Sequence, residues 1–126
     1  MKNKILTWDE YFMSLSHLSG KRSKDPSTQV GACIVNQNKR IVGIVHAELN
    51  AILNSTAPLK NCSIYVSLFP CNECAKAIIQ SGITEVVYES DKYAYSDSVK
   101  ASKRMLESAG VELRQIKAVN VVVQMT

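Results

Sequence analysis

The fold of this chain is constrained most by four residues in two short stretches. The first stretch is His46-Ala47-Glu48 and the second is Pro70-Cys71-Asn72-Glu73-Cys74. Two residues separate the cysteines, a spacing that lets two thiolates bind one metal ion from the first turn of a helix. Twenty-four residues lie between His46 and Cys71, enough for one helix, one strand and their loops. The fold therefore has to bring two distant stretches to one place.

Two cysteines and one histidine fill three positions of a tetrahedral zinc site. Structural zinc sites are closed by four protein ligands, whereas catalytic sites leave one position for water or substrate. We therefore interpret His46, Cys71 and Cys74 as ligands of one catalytic Zn²⁺ per chain. Glu48 is then the candidate general base for the water that such an ion activates.

Two other interpretations of the cysteine pair were weighed against this one. A C-x-x-C pair can be a redox pair or half of a four-cysteine zinc knuckle. A redox pair explains neither His46 nor Glu48. A knuckle needs a second pair, but Cys33 and Cys62 are far apart and lie in apolar runs. We expect these two cysteines to be buried and outside the metal site.

Composition limits the class of protein. At 126 residues and 46% hydrophobic content the chain is expected to form one domain, residues 1–126. A net charge of +4 would suit a phosphorylated small molecule, although many proteins carry as much. The sequence lacks a basic block with interleaved aromatic residues, an apolar run of membrane-spanning length and a signal peptide. The sequence therefore predicts that the protein binds neither nucleic acid nor membranes. It also predicts a reducing, cytoplasmic location.

The order of elements is predicted as α-β-β-α-β-α-β-α-β. Thr7 and Glu10 predict a capping box for the first helix, in which His17 is expected to be a surface or packing residue. The predicted helices cover 7–19, 46–55, 71–81 and 96–109, and the predicted strands cover 29–36, 40–44, 62–68, 84–89 and 111–116. The second helix is expected to bury Leu49, Ile52 and Leu53. The apolar tail 118–125 is either a sixth edge strand or an oligomer contact.

A hairpin followed by strand–helix–strand units predicts a mixed five-stranded sheet with helices on both faces, a three-layer α/β/α fold. Right-handed crossovers would set the helices that carry the two motifs side by side. Their N-termini, with their unpaired N–H groups, would then meet at the metal.

The two motifs resemble those of the cytidine deaminase-like superfamily, which the pairing of H-x-E with P-C-x-x-C characterises. Four stretches together resemble its deoxycytidylate (dCMP) deaminase branch: Arg22–Ala32, His46–Ile52, Leu68–Lys76 and Ser90–Tyr93. The resemblance covers about residues 7–116. It implies the cytidine deaminase-like fold and the reaction of dCMP and water to dUMP and ammonia, which supplies dUMP for thymidylate synthesis.

The resemblance also implies roles for single residues. Glu48 would take a proton from water, pass it to ring nitrogen N3 and later help to protonate the leaving ammonia. The Ala47 N–H would orient the base, and the carbonyl of Ser67 would accept from the exocyclic amine. Candidates for the phosphate contacts are Arg22, Lys24 and Tyr93. The family is often hexameric, activated by dCTP with Mg²⁺ and inhibited by dTTP.

The chain departs from the family pattern in two places. The family has a long loop between the second strand and the helix of His46, whereas here Ile44 is followed at once by Val45 and His46. Strand-to-helix connections usually take about 2–6 residues. We therefore predict an interruption of the chain between Gly43 and His46.

A continuous chain there would be a true deletion and would favour an inactive, nucleotide-binding homologue. The second departure lies at Ala94-Tyr95, because the family commonly has a histidine soon after Asp-Lys-Tyr. The absence of that histidine puts one nucleotide or loop contact in question. A deaminase of another nucleoside or base is a further alternative.

Overall fold

A mixed five-stranded sheet forms the middle layer of the structure. The computed structural model describes residues 5–22, 30–45, 48–53, 55 and 57–125, without the side chains of residues 48–50. Within this part of the chain the elements follow the predicted order: α1 Trp8–Gly20, β1 Ala32–Val35, β2 Ile41–Val45, α2 Glu48–Leu53, β3 Ser63–Leu68, α3 Asn72–Ser81, β4 Glu85–Ser90, α4 Asp97–Ser108 and β5 Glu112–Gln115. The predicted fold class is confirmed.

The strand order is β2-β1-β3-β4-β5. Strand β1 is antiparallel to both β2 and β3, whereas β3, β4 and β5 are parallel. Strands β2, β3 and β4 therefore end at one edge of the sheet, and β1 begins there. We call this edge, marked by Val45, Leu68, Ser90 and Ala32, the site edge.

Side chains alternate between two buried layers, as the twofold period of strands requires. On one face the sheet packs against α2, α3 and α4, with Ile64, Ile78 and Leu106 among its fully buried residues. On the other face Phe12 and Met13 of α1 pack against residues such as Tyr65. None of the described helices is long and apolar enough to span a bilayer.

The N-terminus of α1 has the predicted capping box. The Thr7 N–H donates to Oε1 of Glu10 at 2.8 Å, and the Glu10 N–H donates to Oγ1 of Thr7 at 3.1 Å. These two bonds satisfy backbone donors that a helix start leaves unpaired.

Ion pairs tie α1 to the sheet. Arg114 of β5 donates from Nη1 and Nη2 to the carboxylate of Asp9 at 2.6 and 3.0 Å, and from Nε to Glu85 at 3.0 Å. The Tyr65 hydroxyl also donates to Asp9, at 2.7 Å. The hydrogen bond from Arg114 is the largest influence on the Asp9 carboxyl and lowers its pKa, against the opposing effect of burial.

The second helix is shorter than predicted. It covers Glu48–Leu53 rather than residues 46–55. Ala51 is buried and Ile52 partly buried, but Leu53 is 70% exposed, so the expectation that Leu53 packs into the core is wrong. At 3.6 residues per turn Leu53 lies about 200° around the helix from Ala51, on the opposite face. Leu49 lies outside the described side chains.

The prediction that the chain is interrupted between Gly43 and His46 is wrong for the part from Gly43 to Val45. Strand β2 continues to Val45, and Gly43, Ile44 and Val45 pair with Ile34, Cys33 and Ala32. The chain is therefore continuous from Gly43 to Val45. The remaining step, from Val45 to His46, lies outside the described residues.

Gly31 brings the C-terminal half of α1 against the start of β1. The Ser16 hydroxyl, which is buried, donates to the carbonyl of Gly31 at 2.7 Å. A Cβ atom on Gly31 would lie 2.0 Å from the carbonyl oxygen of Ser16 and 2.6 Å from the nitrogen of Gly20. Only glycine allows this approach, which places the end of α1 near the site edge.

We therefore expect Gly31→Ala to destabilise the protein by about 3 kcal/mol, because the added methyl group meets backbone that cannot move aside cheaply. The control is Gly43→Ala, whose Cβ would find only ordinary contacts at 3.5 Å or more. It should change stability by less than about 1 kcal/mol. Urea unfolding measures both, and equal losses would contradict the role given to Gly31.

Candidate metal and active site

The sulfur atoms of Cys71 and Cys74 lie together at the N-terminus of α3. Their Sγ atoms are 3.6 Å apart, too far for a disulfide and close to the ~3.8 Å expected of two ligands that share one tetrahedral zinc. All four cysteines lie in the described part of the chain, and none is disulfide-bonded. The donor set thus fits the predicted zinc ion. Cys71 is exposed and Cys74 is buried, so solvent reaches the cysteine pair from the side of Cys71.

Local sequence sets this geometry. Cys71 is the N-cap of α3, with extended backbone angles and no side-chain capping bond, so its sulfur remains available. The helix starts after the buried Pro70 and ends at Gly82, which adopts the left-handed conformation with φ of 86°. The N-terminal end of a helix favours negative charge, which suits two thiolates.

Asn72 and Ser98 join α3 to α4 beside the cysteines. The Asn72 N–H donates to Oγ of Ser98 at 3.3 Å, and this hydroxyl donates to Oδ1 of Asn72 at 3.1 Å. One of the unpaired donors of α3 is therefore satisfied by the first turn of α4. Neither residue was among the predicted site residues. The two positions are 26 residues apart, and no sequence motif indicates that they are in contact.

The structure places several other predicted site residues at the site edge. Ser67 is the penultimate residue of β3, and Tyr93 lies in the turn that follows β4. Arg22 is exposed and follows the end of α1, which Gly31 holds against the start of β1. Tyr93 is exposed, and Lys92 Nζ lies 5.2 Å from the centre of its ring.

Part of the predicted site lies outside the described residues, namely His46, Ala47 and Lys24. Glu48 is the first residue of α2, but its side chain is not described. Helix α2 contacts α3, as predicted for the helices that carry the two motifs. Among the described residues no group of three potential ligands clusters for a metal. The predicted third ligand, His46, lies outside the described residues.

Cys33 and Cys62 are both buried, as predicted. Burial raises the pKa of the Cys33 thiol to about 12 and raises that of Cys62 as well. Both therefore remain neutral thiols at neutral pH and pack as small apolar residues.

His17 is partly buried, in agreement with the expected surface or packing position, and it forms a specific hydrogen bond. Its Nε2 donates to Oε1 of Glu89 at 2.8 Å, and the other oxygen of Glu89 accepts from the Val119 N–H at 2.7 Å. The Glu89 side chain is only 6% exposed. The Glu89 carboxylate thus connects α1, β4 and the C-terminal tail, so its role is structural. The tail has no sixth strand in its described residues, 116–125.

A family model described as "Cytidine and deoxycytidylate deaminase zinc-binding region" matches residues 6–90. This range contains His46, Glu48, Cys71 and Cys74. The chain belongs to the cytidine and deoxycytidylate deaminase family. The matched region is the family's zinc-binding region, which agrees with the sulfur pair on α3.

Named relatives and solved structures agree with this membership. The chain is 45% identical to a deoxycytidylate deaminase of Mus musculus, with 90% of this chain and 82% of the relative covered. It is 46% identical to a probable deoxycytidylate deaminase of Drosophila melanogaster, with 90% and 74% covered. A dCMP deaminase of the cyanophage S-TIM5, solved with dCMP and dUMP, has the same fold: the TM-score is 0.73 at 21% identity, with 90% of this chain and 100% of that one covered.

The alignments also show that this chain is shorter inside the matched region. The mouse alignment runs over 146 positions, although 90% of this 126-residue chain is only about 113 residues. The Drosophila alignment runs over 151 positions for the same share of this chain. About 30 to 40 positions of these relatives therefore have no counterpart here.

We expect the purified protein to bind one zinc ion per chain and the variants Cys71→Ser and Cys74→Ser to lose most of it. The hydroxyl that replaces the thiol is a much weaker ligand for Zn²⁺. The control is Cys62→Ala, because Cys62 precedes β3 at the end of the strand away from the site edge. Metal analysis of folded protein measures the content. Equal zinc loss in the control variant would contradict the assignment.

Proposed function

We propose that this protein is a zinc-dependent dCMP deaminase, which converts dCMP and water to dUMP and ammonia. The Cys71–Cys74 sulfur pair at the start of α3 supports the chemistry, because two converging thiolates suit a zinc ion. The relatives that share 45–46% of aligned positions and bear the name deoxycytidylate deaminase support the substrate.

The proposed metal ligands are His46, Cys71 and Cys74. When bound, a zinc ion with an open position supplies a water that is nucleophilic at neutral pH. Two thiolates and a neutral imidazole balance the charge of the ion, so no further carboxylate is needed for neutrality.

Glu48 is the proposed proton carrier. Its carboxylate takes a proton from the attacking water and delivers it to N3 of the cytosine ring as the oxygen bonds to C4. It then takes the remaining proton from the new C4 hydroxyl and passes it to the departing amine, so that the C4=O bond forms, the C4–N bond breaks and ammonia leaves. The position of Glu48 at the start of α2, which packs against α3, supports this role.

Three of the proposed substrate contacts, Ser67, Arg22 and Tyr93, are described in the structure, and they lie around the site edge. The Ala47 N–H would orient the base, and the carbonyl of Ser67 would accept from the exocyclic amine. For the phosphate we propose Arg22, Lys24 and Tyr93. The exposed positions of Arg22 and Tyr93, on chain segments that reach the site edge, support this choice.

A second candidate function follows from the 30 to 40 missing positions. We propose that they fall between Val45 and His46, where β2 ends and α2 begins almost at once. If a substrate-binding loop is absent there, the protein is an inactive homologue that still binds nucleotide. The regular β2 strand up to Val45 favours a real deletion over an interruption within the strand.

Regulation and assembly are also proposals. The family resemblance suggests a cytoplasmic homo-oligomer, a hexamer, with dCTP and Mg²⁺ as activators and dTTP as inhibitor. Exposed apolar side chains of the tail, including Val122, Val123 and Met125, would suit a contact between copies.

The substrate assignment predicts turnover of dCMP but not of deoxycytidine, because the phosphate is part of what the site binds. Release of ammonia from both compounds measures this, alongside the intact mass of the same sample. The mass shows whether the protein contains residues beyond these 126. Equal rates would contradict phosphate recognition. No turnover of any cytosine compound by a zinc-loaded protein of the expected mass would favour the inactive homologue.

Glu48→Gln should keep the zinc ion but lower kcat on dCMP by about 100-fold or more, because the amide cannot carry the proton. A suitable control is Glu112→Gln, an exposed carboxylate of β5, which should leave kcat unchanged. Zinc content is measured in both variants. If Glu48→Gln works at the parent's rate, another group carries the proton.

A further inference from the structure

The Ser98 hydroxyl holds the segment between the two candidate metal ligands by two hydrogen bonds. Asn72 comes directly after Cys71 in the cysteine motif. The Asn72 N–H donates to Oγ of Ser98 at 3.3 Å, and this hydroxyl donates to Oδ1 of Asn72 at 3.1 Å. One side chain of α4 therefore bonds both the backbone and the side chain of a residue that lies between the two cysteines.

The bonded N–H belongs to the planar peptide group that joins Cys71 to Asn72. The carbonyl of the same group accepts from the Ala75 N–H at 2.9 Å. The peptide group is thus hydrogen-bonded at both ends, by α3 on one side and by Ser98 on the other. Its orientation sets the direction in which the Cys71 side chain leaves the backbone, and with it the 3.6 Å separation of the sulfur atoms.

The two cysteines differ in what else holds them. Cys74 is buried, so the packing of α3 fixes its position, whereas Cys71 is exposed. Cys71 is also the N-cap of α3, and its side chain makes no capping bond. The bonds of its peptide group therefore supply the constraint that burial supplies for Cys74.

Ser98 is itself held firmly. It lies in the first turn of α4, where the N-cap Ser96 accepts from the N–H of Val99, a buried residue of the core, at 3.2 Å. The N–H and the hydroxyl of Ser96 both donate to the carbonyl of Tyr93, at 2.9 and 2.8 Å. The start of α4 thus fixes both the turn that carries Tyr93 and the start of the cysteine motif.

Ser102 provides an internal comparison, because it lies on the same face of α4 one turn after Ser98. It is fully buried, but its hydroxyl has no hydrogen-bond partner among the described residues. The two serines therefore differ in one decisive property: only the hydroxyl of Ser98 bonds the cysteine segment.

We propose that Ser98 is a positioning residue of the candidate zinc site, which acts through Asn72 on the Cys71 thiolate and so raises the affinity for zinc. This inference rests on the proposed function, since it requires the cysteine pair to bind zinc. Groups that orient metal ligands through hydrogen bonds typically change metal affinity by about 10- to 100-fold when they are removed.

Competition with a chromogenic chelator measures the zinc affinity of the full chain and its variants. Ser98→Ala should bind zinc about tenfold or more weakly, whereas Ser98→Thr, which keeps the hydroxyl, should retain the parent's affinity. Ser102→Ala is the matched control, and it should change the affinity less than about twofold because the hydroxyl that it removes bonds no described residue.

The visible absorption of the Co²⁺-substituted protein separates positioning from a loss of stability. The spectrum depends on the geometry of the ligands around the ion. It should change in folded Ser98→Ala that is saturated with Co²⁺, and it should not change in Ser102→Ala. A fold that is merely less stable would leave the spectrum as it is in the parent.

A double-mutant cycle tests the route through Asn72. Asn72→Ala should weaken zinc binding as Ser98→Ala does, and the double variant should bind no more weakly than the weaker single variant, because all three lack the same pair of bonds. Additive losses would show that Ser98 acts by another route and would overturn the proposal.

The remaining outcomes distinguish this inference from the proposed function. If the parent binds zinc and Ser98→Ala binds it equally well, the inference is wrong and the proposed function stands. Equal weakening by Ser102→Ala would show a general effect of α4 and would also overturn the inference. A folded parent that binds no zinc would overturn both.

Discussion

The parallel pairing of β3 with β4 is the constraint on which the candidate site depends. Since Leu68 pairs with Ser90, both strands deliver the chain to the same edge, where Cys71 and Tyr93 follow. Strand β1 runs the other way, so the hairpin returns β2 to this edge as well. The strand ends that lead into the motif-bearing stretches thus meet because of strand direction, although many residues separate them in sequence.

Three contacts of different kinds hold helix α1 against this sheet. Gly31 permits backbone contact near its end, Glu89 binds His17, and Arg114 binds Asp9 near its start. The Asp9–Arg114 pair is partly exposed, so it fixes orientation more than it adds stability. Arg22, one of the three residues proposed for the phosphate, follows the end of the helix that these contacts hold in place.

A pocket beside α4 lies next to the segment that carries the cysteine pair. Phe69 lines this pocket and is two residues from Cys71, and the Asn72–Ser98 bonds join the start of α3 to that of α4. A ligand against α4 would therefore lie next to the segment that positions the thiolates.

The sequence alone determined the element order, the sheet type and the capping box of α1, because spacing and capping are local properties. The structure confirmed these and corrected α2, in which a helix of six residues turns Leu53 away from the core. Only the tertiary structure decided that His17, Glu89 and Val119 share one carboxylate, or that α4 forms a pocket with Phe69 and Tyr88. Contacts of this kind join residues that are far apart in the chain. The spacing of apolar residues within one helix or strand does not show which side chains the strand order brings together.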